Sequence, residues 1–246
     1  DLSIDFDLYY IKGGMRYETI PREAKASILI KEEDINILED IISAFDSDLQ
    51  KEYLHIEDNL TIYCENKGEE ELSVLTGKTM QRVIFLLMTI PDGIIKLCPS
   101  MQNIVQTSLN TGMIELDKNE FSVHISIRSQ LTSEKHALND RLRYLTETIG
   151  GSYVIEDNYH SWEYAEKSPL RETLKEVYRN LYYSDPVITG THERLEYGVI
   201  TDKIRDMDVA VIGTSVEDRN TTKERLSISS VERTYRYLTE ILRSVD

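Results

Sequence analysis

The sequence predicts an α/β fold in which helices cover a mostly antiparallel sheet. Two observations support this. Segments of alternating apolar residues are interspersed with segments of helical apolar spacing, and two of the alternating segments are joined by a short polar turn. An order of strand, helix, strand, hairpin and helix is typical of helices packed on an antiparallel sheet. The 246 residues, 40% of them hydrophobic, suffice for a buried core and favour two folding units.

The first feature along the chain is the glycine pair Gly13-Gly14, which separates an alternating pattern ending at Leu8 from a second one over residues 23–30. Glycine adopts positive φ without steric cost, so the backbone can turn sharply here. Ile20 precedes Pro21 and is therefore biased toward extended backbone. The sequence predicts a hairpin-like turn between two strands.

Apolar residues at helical spacing predict the next helices. The first carries Ile35, Leu38, Ile41, Ile42 and Phe45, the second is capped by Thr76 and stops before Pro91, and the third spans residues 133–149 and ends at Gly150-Gly151. Between the first two helices, residues 60–64 alternate as a strand and residues 65–71 form a charged loop. Residues 104–116 and 120–128 are predicted to form a hairpin.

A polar and aromatic segment over residues 157–168 suggests a domain boundary, so we expect one domain at 1–158 and a second at 159–246. Ser168 followed by Pro169 predicts a helix start, with Leu170, Leu174, Val177 and Leu181 as its buried stripe.

The last part of the chain predicts a short strand and a final helix. Residues 208–212 form an apolar strand pattern that ends at Gly213. Ser229 and Glu232 form a capping-box pattern that opens a helix over residues 231–245. We expect its inward stripe to be Val231, Tyr235, Leu238, Leu242 and Val245. With two helices and one strand, this tail resembles half a domain.

Composition excludes several classes of function. A net charge of −16 disfavours binding to a phosphate backbone, which needs clustered Lys and Arg. The sequence contains no apolar run near the ~20 residues that span a bilayer, so we expect a soluble protein without membrane contact. Cys64 and Cys98 are too few for a disulfide framework, and we expect both to be reduced and buried, which favours a cytoplasmic location.

Several motifs, taken in order, resemble one family. Gly13-Gly14 followed by Ile20-Pro21-Arg22-Glu23-Ala24 is similar to the lid-domain signature of the bacterial aminoacyl-histidine (Xaa-His) dipeptidases, carnosinase-like peptidases with two zinc ions. The segment from PDGIIKL to QTSLNTG, the HISIRS motif ending in Arg128-Ser129, the LEYG motif and the strand pattern from Met207 to Gly213 resemble further family motifs in the same order.

The resemblance implies a domain arrangement. In the family, a lid domain that also mediates dimerisation interrupts an α/β zinc-peptidase catalytic domain. Residues 1–158 would then be most of an α+β lid, and residues 159–246 would be the C-terminal part of the catalytic domain. The chain begins at Asp1 inside a strand pattern, so we expect that an N-terminal half is missing.

The resemblance also implies roles for particular residues. Arg128 would bind the C-terminal carboxylate of a dipeptide, for which a guanidinium is well suited. Glu18 stands where the family has a substrate-facing asparagine, and our own hypothesis is that its carboxylate neutralises Arg128 and closes the anion site. His192 and Glu196 lie in a loop that resembles the family's substrate loop. Asn220 replaces the family's late histidine ligand, and the other zinc ligands belong to the absent half.

Two functional hypotheses follow. In the first, the chain is part of a zinc dipeptidase that supplies the lid, the homodimer contact and the recognition of small peptides, and it is inactive alone because it holds no zinc. In the second, the protein is a degenerate relative that acts as a peptide-binding or assembly module. The five histidines show no ligand spacing on a helix face, so we expect no metal site in this chain.

Overall fold

The structure is a computed structural model that describes residues 4–99, 101, 103–117, 120–190, 197–204, 207–219 and 221–245. In chain order the elements are β1 (Phe6–Gly13), β2 (Ala24–Ile30), α1 (Ile35–Glu52), α2 (Gly77–Thr89), β3 (Gly93–Leu97), β4 (Val105–Leu116), β5 (Phe121–Ser129), α3 (Thr132–Thr148), α4 (Pro169–Tyr182), α5 (Tyr197–Lys203), β6 (Val216–Glu217), β7 (Arg225–Leu226) and α6 (Ile228–Ser244). No helix among these is long and apolar enough to cross a bilayer.

The chain forms two compact units. Unit 1 comprises residues 1–93, 109–126 and 141–153, and unit 2 comprises residues 94–108, 127–140 and 154–246. Strands β4 and β5 and helix α3 each contribute residues to both units. The predicted boundary at residue 158 remains a prediction.

The main sheet has five strands in the order β2-β1-β4-β3, with β5 also paired to β4. Strands β1 and β2 are antiparallel over the whole length from Phe6 opposite Ile30 to Gly13 opposite Ala24. Strand β1 is also antiparallel to β4, with Gly13 opposite Ile114. The mixed α/β fold with an antiparallel sheet, predicted from the sequence, is confirmed.

The turn after β1 depends on two glycines. Gly14 has φ +72° and donates its N–H to the carbonyl of Glu23 at 3.0 Å, which closes the predicted hairpin. A Cβ at Gly14 would lie 1.9 Å from the carbonyl oxygen of Gly112, and a Cβ at Gly112 would lie 2.3 Å from that of Tyr17. The turn segment therefore lies against β4 at a distance that only glycine permits.

Unit 1 has a small apolar core between β1, α2 and the end of β4. Its buried residues are Leu8, Val83 and Leu116, packed against Ile11, Leu75, Met80, Leu87 and Phe121. Helix α2 begins as predicted, because the Thr76 side chain accepts the N–H of Thr79. Helix α3 ends at the predicted glycine pair, where Gly150 has φ +80°.

In unit 2, helices α4 and α6 pack against each other. The Tyr237 hydroxyl donates to the carbonyl of Leu174 at 2.8 Å, and the Tyr182 hydroxyl donates to that of Arg233 at 2.9 Å. The rings of Tyr178 and Tyr237 meet edge to face at 5.5 Å. The predicted buried stripe of α4 is confirmed, since Val177 is buried and its other members are half-buried.

Two strand predictions are wrong. Residues 60–64 and residues 208–212 have no strand partner and lie outside the sheets of the described chain. Both are alternating or apolar patterns, but a strand forms only where a neighbour satisfies its backbone. The prediction that Cys64 is buried is also wrong, because Cys64 lies in the first of these segments and is exposed. Cys98 is half-buried.

The start and orientation of the last helix also differ from the prediction. Helix α6 begins at Ile228, because the Ser227 side chain caps it by accepting the N–H of Ser230. The inward residues of α6 are Ser230 and Ile241, which are buried, and Tyr237, which is half-buried. The predicted inward stripe is exposed instead: Val231 39%, Tyr235 73%, Leu238 42%, Leu242 68% and Val245 51%.

Candidate functional site

Arg128 is the penultimate residue of β5 and belongs to unit 2. Its side chain is half-buried, whereas the next residue, Ser129, is buried. Successive strand residues point to opposite faces, so the two side chains lie on opposite sides of the strand. No described residue of unit 2 forms a hydrogen bond or an ion pair with the Arg128 guanidinium. A half-buried cation without an ion-pair partner in its own unit is suited to an anionic ligand.

The end of β5 is fixed to β4 by buried hydrogen bonds. The hydroxyls of Thr107 and Ser129 lie 2.9 Å apart, and Thr107 has no exposed surface. The N–H of Gln130 donates to the carbonyl of Gln106 at 2.9 Å. Because Thr107 and Ser129 share one face of the strand pair, Gln106 and Arg128 share the other.

Gln106 is a candidate site residue that the sequence did not indicate. It is 5% exposed, and its side-chain oxygen Oε1 has no hydrogen-bond partner. A buried acceptor without a partner costs free energy unless a ligand supplies a donor. The only signal in the sequence was a polar residue within a strand pattern, which does not distinguish a buried position from an exposed one.

A buried lysine supports the same strand end. The Lys135 ammonium donates to the carbonyl of Tyr159 and lies 5.0 Å from the centre of its ring. The Tyr159 hydroxyl in turn donates to the carbonyl of Ile127, next to Arg128, at 3.4 Å. Burial lowers the pKa of Lys135, because desolvation disfavours its charged form.

The loop that contains His192 and Glu196 lies outside the described residues, but both of its flanks are in unit 2. A Cβ added at Gly190 would lie 3.2 Å from the Ile104 side chain and 3.5 Å from the side-chain nitrogen Nε2 of Gln130. A Cβ added at Gly198 would lie 2.2 Å from the carbonyl oxygen of His160. The loop therefore starts beside the β4–β5 strand end, whereas the roles of His192 and Glu196 remain predictions.

Glu18 lies in unit 1, in the turn segment after β1. Its carboxylate is 3.6 Å from the Arg16 guanidinium, and its side chain is 38% exposed. The Asn110 side chain fixes the segment by donating to the carbonyls of Tyr17 and Thr19, each at 3.0 Å. The pairing of Glu18 with Arg128 remains a prediction.

The described residues do not offer a zinc centre by themselves. No group of three or more His, Cys, Asp or Glu side chains among them is arranged to hold a metal ion. Four of the five histidines are described, and all four are exposed: His55, His124, His136 and His160. Asn220, at the position of the family's late histidine, lies outside the described residues.

Comparison with known proteins identifies the class. No protein-family model matches the chain. The chain is 27% identical to the cytosol non-specific dipeptidase of Escherichia coli over 243 residues, which are 99% of this chain and 50% of that protein. The chain is therefore a relative of the dipeptidases, as its motifs predicted.

Solved structures agree with this fold. The aminoacylhistidine dipeptidase of Vibrio alginolyticus superposes with a TM-score of 0.85 at 24% identity, covering 98% of this chain and 49% of that chain. The aminopeptidase PepT of Bacillus cereus gives a TM-score of 0.51 at 16% identity over 66% of this chain and 44% of that chain. The chain spans about half the length of the relatives that it matches.

Proposed function

We propose that this chain supplies the peptide-carboxylate recognition of a dipeptidase-type protein. The observation that carries the proposal is the half-buried guanidinium of Arg128, which has no partner among the described residues of unit 2. A guanidinium binds a carboxylate through two parallel hydrogen bonds. Gln106 lies on the same face of the strand pair and offers an unsatisfied acceptor for a ligand N–H. A short peptide carries both groups, an N–H and a terminal carboxylate.

Hydrolysis in this proposal depends on groups that the described residues do not supply. Zinc is the metal expected in the intact family, where it activates water and polarises the scissile carbonyl. The described donors do not form such a centre. In this proposal the chain binds and orients the peptide, and the chain alone is expected to be inactive.

The proposal assigns the remaining parts of the chain by the family arrangement. Residues 1–158 act as the lid and provide a homodimer contact, and residues 159–246 belong to the catalytic domain. The protein works in the cytoplasm on Xaa-His or related dipeptides. The support is the sequence relationship to a dipeptidase over nearly the whole chain.

A degenerate relative that binds peptides or assists assembly without hydrolysis is the second candidate. Four exchanges from the family pattern favour it. Glu18 replaces an asparagine, Glu193 and Arg194 replace the small residues that follow the loop histidine in the family, and Asn220 replaces the late histidine. An amide oxygen in place of an imidazole is a poorer zinc ligand. A complete set of zinc ligands together with Xaa-His hydrolysis by the full-length protein would exclude this candidate.

Calorimetry tests carboxylate recognition directly. The full 246-residue chain is titrated with alanyl-histidine and with its C-terminal amide. The free acid is expected to bind at least about tenfold more tightly, because a hydrogen bond to a charged group contributes roughly 1.5–3 kcal/mol. Arg128→Ala removes this preference, and Arg128→Lys restores part of it.

The matched control is Arg225→Ala, because the Arg225 guanidinium already pairs with Glu217 and Asp218. This variant is expected to keep the preference for the free acid. Equal binding of acid and amide by the unmodified chain would refute carboxylate recognition. Zinc-dependent hydrolysis of alanyl-histidine by the chain alone would refute its expected inactivity.

A further inference from the structure

Lys135 is a buried cation in the first turn of α3. It is 5% exposed, and among the described residues of unit 2 no carboxylate forms an ion pair with its ammonium. Burial disfavours the charged form, and the positive end of the helix dipole lies at the same end of α3. An unbranched apolar side chain such as methionine would fill the position without this cost. The charge at Lys135 therefore calls for a role other than filling the core.

Tyr159 contacts the Lys135 ammonium in two ways. Its carbonyl accepts a hydrogen bond from Nζ of Lys135, and the centre of its ring lies 5.0 Å from the same nitrogen. A desolvated cation is attracted to an aromatic face more strongly than an exposed one. A hydrogen bond from a charged donor is also stronger than one from a neutral donor. The charge of Lys135 therefore helps to fix both the backbone and the ring of Tyr159.

The Tyr159 hydroxyl carries this restraint to the backbone of Arg128. It donates to the carbonyl of Ile127 at 3.4 Å. That carbonyl and the N–H of Arg128 belong to one planar peptide unit, so a restraint on the carbonyl also orients the N–H. The next residue, Ser129, is held to β4 by the buried hydroxyl of Thr107. The backbone of Arg128 is thus restrained both from Tyr159 and from β4.

The segment 159–163, to which Tyr159 belongs, is anchored at its other end as well. The Glu163 carboxylate accepts the N–H of Thr132 at 3.3 Å, at the start of α3. The ring of Trp162 lies 6.1 Å from that of Tyr197, the first residue of α5. The segment therefore contacts α3, β5 and α5 of unit 2, so Tyr159 has a fixed place from which to restrain the end of β5.

We infer that Lys135 is a positioning residue for the proposed carboxylate site: through Tyr159 it holds the peptide unit before Arg128 and keeps the Arg128 guanidinium ordered for a ligand. An ordered guanidinium loses less conformational entropy on binding, so affinity rises without a new contact. The inference rests on the proposed function, because a bound carboxylate gives this ordering its use. The link between Lys135 and Arg128 is itself measurable without any ligand.

Nuclear magnetic resonance of the full 246-residue chain without ligand tests that link. The Nε–Hε signal of Arg128 is assigned by its absence in Arg128→Lys, and its proton–nitrogen heteronuclear Overhauser effect reports picosecond-to-nanosecond motion. The unmodified chain is expected to give a high value, and Lys135→Met and Tyr159→Phe are each expected to lower it. Tyr159→Phe removes only the hydroxyl, so it tests the link even if Lys135→Met does not fold.

Calorimetry with alanyl-histidine and its C-terminal amide measures the effect on binding. Lys135→Met and Tyr159→Phe are each expected to reduce the preference for the free acid by about threefold or more, and the double variant by no more than the larger single effect, because residues that act through one another are not additive. The matched control is Ser168→Ala, which removes a hydrogen bond at another buried position of unit 2. It is expected to lower stability but to leave both the Arg128 signal and the acid preference unchanged.

Three outcomes would overturn the inference. The first is an unchanged Arg128 signal in both Lys135→Met and Tyr159→Phe. The second is an unchanged acid preference in these variants, or additive losses in the double variant. The third is an equal loss in Ser168→Ala, because Lys135 would then act only on stability. Absence of any acid preference in the unmodified chain would instead refute the proposed function, and the Arg128 signal would still decide whether Lys135 orders Arg128.

Discussion

The turn segment after β1 gives a quantitative prediction about the stability of the chain. In Gly14→Ala the new side chain must be accommodated at φ +72°, and its Cβ would start 1.9 Å from the carbonyl oxygen of Gly112. Left-handed backbone costs an L-residue roughly 1–2 kcal/mol. Forcing extra volume into a packed site typically costs a further ~1–3 kcal/mol. We expect Gly14→Ala to lower the free energy of unfolding by about 2–5 kcal/mol.

Gly68 supplies the matched control. It also has positive φ, +87°, but no atom lies within 4 Å of the position that a Cβ would occupy. Gly68→Ala therefore carries only the backbone cost, roughly 1–2 kcal/mol. The difference between the two variants isolates the close approach of the turn to β4.

Urea unfolding followed by circular dichroism measures both variants. With an unchanged dependence on urea, the shift in midpoint reports the change in stability. Gly14→Ala is expected to unfold at clearly lower urea than Gly68→Ala. Equal midpoints for the two variants would refute the close contact between Gly14 and Gly112.

Three further predictions concern other parts of the chain. The pKa of Lys135 is lowered by burial from its usual 10.5, so the folded state releases that proton before the unfolded state does. The free energy of unfolding of the unmodified chain, relative to that of Lys135→Met, should therefore rise as pH increases toward 10.5. Burial raises the pKa of Tyr237, so the folded state keeps that proton longer than the unfolded state does. The free energy of unfolding relative to that of Tyr237→Phe should therefore fall above pH 10. Urea titrations at several pH values measure both differences, and slopes of the same sign would contradict the reasoning. Ser168→Ala removes a buried helix cap and should cost about 1–2 kcal/mol, more than Thr76→Ala at an exposed cap, as thermal unfolding would show. Glu18→Asn should strengthen the binding of alanyl-histidine if Glu18 competes for Arg128, and calorimetry that finds no gain would count against that pairing.

The sequence predicted the elements whose signals are local. The starts of α2 and α4 depend on Thr76 and Ser168, whose side chains cap the helix that directly follows. The turn at Gly14 and the end of α3 at Gly150 depend on positive φ, which glycine adopts easily, so the glycines in the sequence predicted both features. These features need no information from distant parts of the chain.

Features that depend on distant partners were not predicted correctly. An apolar run such as residues 208–212 looks like a strand whether or not a neighbour exists to pair with it. Helix α6 has two faces with apolar or small residues at helical spacing, and periodicity alone does not tell which one contacts α4. The stripe that was predicted to point inward is the exposed one in the described part of the chain.

The candidate site was predicted in part. The motif resemblance directed attention to Arg128, and the structure places it beside a buried hydrogen-bond network. Gln106 was missed because its burial comes from chain packing around the strand and not from its own sequence neighbours. His192 and Glu196 lie outside the described residues, so their predicted roles rest on the resemblance.

The most direct test of the account is a crystal structure of the full chain with alanyl-histidine. The account predicts that the peptide carboxylate lies within about 2.7–2.9 Å of the Arg128 guanidinium nitrogens. A peptide N–H should lie within hydrogen-bond distance of Oε1 of Gln106. A dipeptide bound elsewhere, with Arg128 paired instead to a carboxylate of the chain itself, would contradict the central claim.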